Sequence, residues 1–150
     1  MTILPPPLTC RHLAVIAGLA RGHSYAQIGR HLHLSDQSVK GHIRDITQAT
    51  GAHGATVIVD WAYRHGLMDG LRAEPRQLVD LRERDLRVLE LIAAGLTTEE
   101  TARKLGIGHA AVKGNIARLS GEFGATGRPH LVALAHQQGL LGDETRGVAA

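Results

Sequence analysis

Apolar residues recur along this chain at spacings of three and four, in short runs broken by glycine, serine or threonine. Leu13, Ile16 and Leu19 form one run behind Thr9, a residue suited to capping a helix, and Gly22 ends it. Ser24-Tyr25-Ala26-Gln27 has the S-x-x-Q form of a capping box and opens a second run through Ile28 and Leu32. After His33 and Leu34, Ser35 caps a third, longer run carrying Val39, Ile43 and Ile46, which Gly51 closes. A fourth, over about residues 56–65, ends at Gly66-Leu67. The period predicts four amphipathic helices, the third spanning residues 36–50.

The pattern then repeats. A shift of 73 residues aligns Leu8 with Leu81 and leaves 19 of 62 positions identical. Val39-Lys40-Gly41 meets Val112-Lys113-Gly114, Gly51-Ala52 meets Gly124-Ala125, and Gly66-Leu67 meets Gly139-Leu140. Thr97-Thr98-Glu99-Glu100 repeats the capping box at the equivalent place. A third helix bearing Val112, Ile116 and Leu119 follows the turn Gly106-Ile107-Gly108. A fourth is expected over about residues 129–138, with Pro129 at its first position. A period this long marks a duplicated domain, because solenoid units are shorter and need three or more copies. The expected organisation is all-α: two tandem four-helix helix-turn-helix domains, without a wing, at 8–69 and 81–142. A linker at 70–80, marked by Gly70 and Pro75, joins them, and 1–7 and 143–150 are expected to be flexible ends.

Composition supports helices. One Trp, two Tyr and one Phe leave the core to Leu, Ile, Val and Ala, which suits short, closely packed helices better than strands. The single Cys10 excludes an internal disulfide and fits a reducing, cytoplasmic setting. Pro5-Pro6-Pro7 does not resemble a signal peptide, and no apolar run approaches membrane-spanning length. A net charge of +3 is modest for a nucleic-acid binder, so positive groups must be gathered on one face.

The ordered motifs resemble the C-terminal DNA-binding domain of LuxR/GerE-type regulators. They run through Leu8-Thr9-Cys10-Arg11, Gly22 to Ile28, Leu32 to Ile43, Gly51-Ala52 and Ala62 to Leu67. The second copy matches through Leu81, Arg84, Gly95, Leu105, Val112-Lys113, Ile116 and Gly139-Leu140-Leu141. The resemblance implies a third helix read into the major groove and a fourth often used for dimerisation. It places base-facing positions at Lys40, Gly41 and Arg44, and at Lys113, Gly114 and Ala117. Departures are His12 and Asp85 where the family has Glu, and Arg82 where a capping Thr belongs, which leaves Asp80 as the expected cap. Ala117 also removes a cation. Copy one is therefore expected to be the better groove reader.

Residues that can touch DNA follow from the third helix and its cap. In copy one they are Ser35, Gln37, Ser38, Lys40, Gly41, His42 and Arg44; in copy two, His109, Lys113, Gly114, Asn115, Ala117 and Arg118. Arg or Lys can bond guanine and Gln can pair with adenine, in a major groove about 12 Å wide. Ser24 and Thr97, at helix N-termini, can offer donors to phosphate besides capping. Val57, Trp61 and Leu134, on the fourth helices, are the expected seam between modules or chains; the alternative for Trp61 is its own module's core. His23, His31, His33, His42 and His53 lack the spacing of a metal site, and no cofactor or enzyme chemistry is expected. The expected function is transcription regulation through duplex DNA, with no sensory domain. Either the fourth helices make an intrachain pseudo-dimer or the chain homodimerises. The competing expectation is a degenerate module that contacts RNA polymerase or another regulator.

Overall fold

The computed structural model describes residues 8–142; the segments 1–7 and 143–150, expected to be flexible, lie outside the described residues. Among the described residues there are eight helices and no strand: α1 (Cys10–Ala20), α2 (Tyr25–Leu32), α3 (Asp36–Thr50), α4 (Ala55–Arg64), α5 (Glu83–Ala93), α6 (Thr98–Leu105), α7 (His109–Phe123) and α8 (Arg128–Gln137). α3 has the bounds its pattern predicts, and α4 and α8 each begin one residue earlier than expected.

The caps explain most boundaries. Ser24 and Gln27 form the full box at α2: Gln27 N donates to Ser24 Oγ at 3.2 Å, and Ser24 N to Gln27 Oε1 at 2.8 Å. Thr97 and Glu100 do the same at α6, at 3.1 and 2.9 Å. Ser35 Oγ accepts from Ser38 N at 3.1 Å to start α3. α5 departs from expectation, because its N-cap is Arg82 and not Asp80. An arginine side chain cannot accept a bond, so only the reciprocal half of a box forms, with Arg82 N donating to Asp85 Oδ2 at 3.3 Å.

Each copy packs its first three helices together. Val15, Ile16, Leu19, Ile28, Val39 and Ile46 fill one core, and Val88, Leu89, Ile92, Leu119 and Phe123 fill the other. These cores are not separate: one apolar cluster runs from Leu8 to Leu141 through both copies. α8 lies at its centre. Its run Leu131-Val132-Ala133-Leu134-Ala135 is at most 1% exposed, and a helix apolar on every side belongs in an interior. α8 packs on α4, α1, α7 and α5.

The joint between the copies is reciprocal. α1 of copy one meets α8, and its counterpart α5 meets α4. Gly22 (φ +79°) lies so close to α8 that a Cβ there would sit 2.2 Å from Thr126 Oγ1 and 2.8 Å from His130 Nδ1. At its counterpart Gly95 (φ +98°), a Cβ would sit 2.8 Å from Val57 Cγ2, and Val57 and His130 are themselves equivalent positions. Tyr63 and His136, again equivalent, stack on each other with ring centroids 5.0 Å apart and planes 4° from parallel. When residue i of one unit meets j of the other and j meets i, the pairing is isologous, as in a two-fold dimer.

Residues 72–82 form no regular element, but they are tied down. Glu74 N and Val79 N donate to the side-chain carbonyls of Gln137 and Gln138, each at 2.9 Å. Gln138 Nε2 returns a bond to Gln77 O at 3.0 Å.

Candidate nucleic-acid interface

α2 and α3 form the helix-turn-helix of copy one. The turn between them uses His33, whose φ of 58° puts it in the left-handed region, and α6–α7 use Gly106 (φ 67°) at the same place. The apolar face of α3 is spent on Val39 and Ile46, both fully buried. Gln37, Ser38, Lys40 and Arg44 are therefore turned outward and exposed, while Gly41 is half-buried with open space where a side chain would stand. Among the described residues neither Lys40 nor Arg44 has a hydrogen-bond or ion-pair partner. Ser35 is exposed at the helix start, and its hydroxyl is engaged with Ser38.

His42 is placed differently from the other groove residues. It is half-buried and crosses the ring of buried His12 edge-on, centroids 5.1 Å apart and planes at 80°. His12 belongs to the capping box of α1: Thr9 N donates to its Nδ1 at 2.9 Å, and its Nε2 lies 3.3 Å from Asp45 Oδ2. His42 thus faces α1, on the flank of the reading surface.

Copy two builds the same surface with fewer charges. His109, Lys113, Gly114 and Ala117 are exposed, and Lys113 has no partner among the described residues. Arg118 is committed internally. It pairs with Asp85 of α5 and, at 3.3 Å, with Glu122. Burial pulls its pKa down, but Asp85 and Glu122 outweigh that and raise it, which holds the guanidinium charged. Asn115 is half-buried, and its side-chain nitrogen is shut off from solvent without a partner. Asp85, Asn115 and Arg118 stand at the positions of His12, His42 and Asp45, so both copies tie the first helix to the third through opposite polarity. That tie was missed from sequence. The signal for it was the paired change of His12–Asp45 to Asp85–Arg118 between the repeats.

Ser24 and Thr97 are exposed and occupied as caps. Glu100, held by the Thr97 backbone and then its hydroxyl, has its carboxyl kept below the ordinary range. At the seam Val57 packs over Gly95, and Leu134 is 1% exposed within α8. Trp61 is half-buried and stacks on His65 one turn further along α4, ring centroids 4.0 Å apart.

Polar groups that the sequence reading did not single out complete the seam. His136 Nε2 lies 2.6 Å from Asp60 Oδ1, and Arg64 Nε donates to Asp60 Oδ2 at 2.8 Å. Burial pushes the Asp60 carboxyl up, but the bonds and charges of His136 and Arg64 more than reverse this and hold it below its ordinary value. Glu74 follows the same logic: burial raises it, and His130 at 2.8 Å with Arg21 at 3.4 Å brings it down. Gln137 Nε2 donates to the Tyr63 hydroxyl at 2.8 Å.

Two such modules, each with an outward third helix, define a tandem helix-turn-helix protein. The family model described as "Bacterial regulatory proteins, luxR family" matches residues 6–62 and again 80–135. The chain belongs to this family of DNA-binding transcription regulators. No curated protein and no solved structure gave a significant match. Among the described residues no helix is long and apolar enough to cross a membrane.

Proposed function

We propose that the chain is a sequence-specific regulator of transcription that reads duplex DNA chiefly with α3, the second module setting its orientation on the duplex. The observation that carries this reading is the outward, unpartnered pair Lys40 and Arg44, one turn apart on α3 and flanked by Gln37 and Ser38. Cations left without internal partners are available to guanine edges and phosphates. Reciprocal pairing through α4 and α8 gives one chain the layout that a two-fold dimer would give two, with a third helix in each half for its own half-site.

Duplexes selected from a random pool, titrated with salt, test this. Binding should weaken steeply as salt rises. Lys40→Ala with Arg44→Ala should cost roughly 100-fold in affinity, since each good base contact contributes about 1–3 kcal/mol. Lys113→Ala should cost about tenfold or less on the same scale. Salt-independent binding, or a double variant that binds as the wild type does, overturns the reading.

One observation favours a second reading for copy two alone. Its exposed α7 surface carries Lys113 among Ala110, Gly114 and Ala117, with Arg118 committed to Asp85. A surface of this kind suits a protein contact, with RNA polymerase or another regulator, better than a phosphate backbone. On that reading Lys113→Ala leaves duplex affinity unchanged.

A further inference from the structure

His12, His42 and Asp45 bring one ligand atom each to within 4.8 Å of one another, between α1 and α3. The proposed groove contacts through Lys40, Arg44, Gln37 and Ser38 include none of the three, and two details point to a missing positive partner. The Nδ1 of His42 is shut off from solvent and has no hydrogen-bond partner, a state that costs about 1–3 kcal/mol when nothing fills it. In copy two the same three positions already hold a cation: the Arg118 guanidinium, against Asp85, with Asn115 as the third residue. Copy one keeps the anion, as Asp45, and supplies two imidazoles, but has no fixed positive group there.

We propose that this cluster binds a divalent transition-metal ion of the Zn2+ class, which clamps α1 to α3 as Arg118 clamps α5 to α7. Two imidazoles and one carboxylate are a donor set that Zn2+ accepts, with water in the fourth position. His42 and Asp45 stand at i and i+3 on α3, so both reach the same side of the helix. Ligands about a tetrahedral Zn2+ lie about 3.4 Å apart. His12 Nε2 and Asp45 Oδ2 are already separated by 3.3 Å. The remaining closure falls to His42 and to Asp45, whose side chain is 53% exposed and free to turn. Metal-bound imidazole needs an acceptor for its other N–H, and Thr9 Oγ1, 3.1 Å from His12 Nδ1, is in place. As it stands Nδ1 accepts from Thr9 N at 2.9 Å, so Nε2 carries the proton that faces Asp45. Metal at Nε2 requires that proton to move to Nδ1 and be donated to the Thr9 hydroxyl, while Thr9 N loses its acceptor and must turn off the ring. Metal binding itself does not depend on the DNA reading. Its consequence there rests on the proposed function: neutralising Asp45 beside Arg44 would strengthen the positive field of the α3 surface.

The full chain, free of any histidine tag and stripped with chelator, is titrated with Co2+ followed spectroscopically, and with Zn2+ by calorimetry. One equivalent of Co2+ should give the visible bands of low-coordinate cobalt, which Zn2+ displaces. His42→Asn, which installs the copy-two residue, should weaken binding by at least the roughly 10–100-fold that loss of a supporting partner costs. The double variant His12→Asp with Asp45→Arg transplants the copy-two ion pair. It should stay helical by circular dichroism and bind no metal. His31→Gln, which dismantles the unrelated His23–His31 ring pair, should change nothing. Absence of cobalt bands in the wild type, their survival in the folded double variant, or a thiolate band lost in Cys10→Ser overturns the site. DNA binding enters none of these readouts, so failure of the metal site and failure of the DNA reading remain distinguishable.

Discussion

Copy one and copy two descend from one pattern, yet they divide their polar residues differently. Copy one leaves Lys40 and Arg44 exposed on its third helix and holds α1 to α3 with His12 and Asp45. Copy two commits Arg118 to Asp85 and exposes Ala117 where copy one has Arg44. The fourth helices diverge in the opposite direction. α8 is the apolar centre of the molecule, whereas α4 carries Asp60, Tyr63 and Arg64, which reach α8 and the chain beyond it through His136, Gln137 and Gly142. One module thus leaves two unpartnered cations on its third helix, while the other supplies the more buried fourth helix, on which both cores pack.

The seam gives the sharpest test of this division, because Gly22 and Gly95 occupy equivalent places against unequal neighbours. An alanine at Gly22 meets both left-handed strain, roughly 1–2 kcal/mol, and a crowded wall of Thr126 and His130. Overpacking of that kind adds about 1–3 kcal/mol. At Gly95 it meets only the tip of Val57. Gly22→Ala should cost about 3 kcal/mol and Gly95→Ala about 2 kcal/mol in denaturant unfolding. Equal costs would mean that the α1–α8 contact is no tighter than its counterpart.

Asp60 supplies the next largest effect. Its copy-two counterpart is Ala133, so Asp60→Ala makes the two fourth helices alike at this position. Loss of its charged hydrogen bonds to His136 and Arg64 should cost about 2 kcal/mol at neutral pH. The Asp60 pKa is depressed in the folded chain. Its contribution is therefore complete above the unfolded carboxylate value of about 3.9 and disappears as pH falls through the lower folded value. Stability curves of wild type and variant should converge below about pH 4. Parallel curves would show that the ion group does not support the seam.

The helices were legible because local rules set them. Apolar spacing, the two capping boxes and Gly51 place α2, α3 and α6 without reference to anything distant in the chain. What stayed hidden was set across distance. The start of α5 at Arg82 depends on Asp85, a residue also held by Arg118 on another helix. Docking of residues 72–82 depends on Gln137 and Gln138, two ordinary polar residues at the end of α8. For the reading surface, spacing along α3 and α7 identifies Lys40, Arg44 and Lys113 as outward. It does not tell that His42 and Arg118, on the flank, turn toward the first helix of their own module, or that the side-chain nitrogen of Asn115 is shut off from solvent.

Thr101 tests the packing of copy two. It is fully buried with no partner for its hydroxyl, at the position where copy one has Ile28 closing over Gly18. The position opposite is exchanged as well, with Leu91 standing for Gly18, so a small-large pair has become a large-small one. Thr101→Val keeps the shape and removes the unsatisfied hydroxyl, and should raise stability by about 1 kcal/mol. A loss on thermal unfolding would show that the hydroxyl has a partner.

The smallest effect separates the two turns. His33 holds a left-handed conformation that copy two assigns to Gly106, with φ of 58° and 67°. A residue with a Cβ meets a cost of roughly 1–2 kcal/mol there, although His is among the types that tolerate it best. Glycine removes that strain but adds freedom to the unfolded chain, worth about 0.4–1 kcal/mol in the other direction. His33→Gly should therefore gain only about 0.5 kcal/mol. Gly106→His should lose about the same, because copy two then takes on the strain that copy one already carries. Paired denaturant midpoints decide it: if both substitutions destabilise, the His33 ring makes a contact that outweighs its backbone strain, and the two turns are not interchangeable.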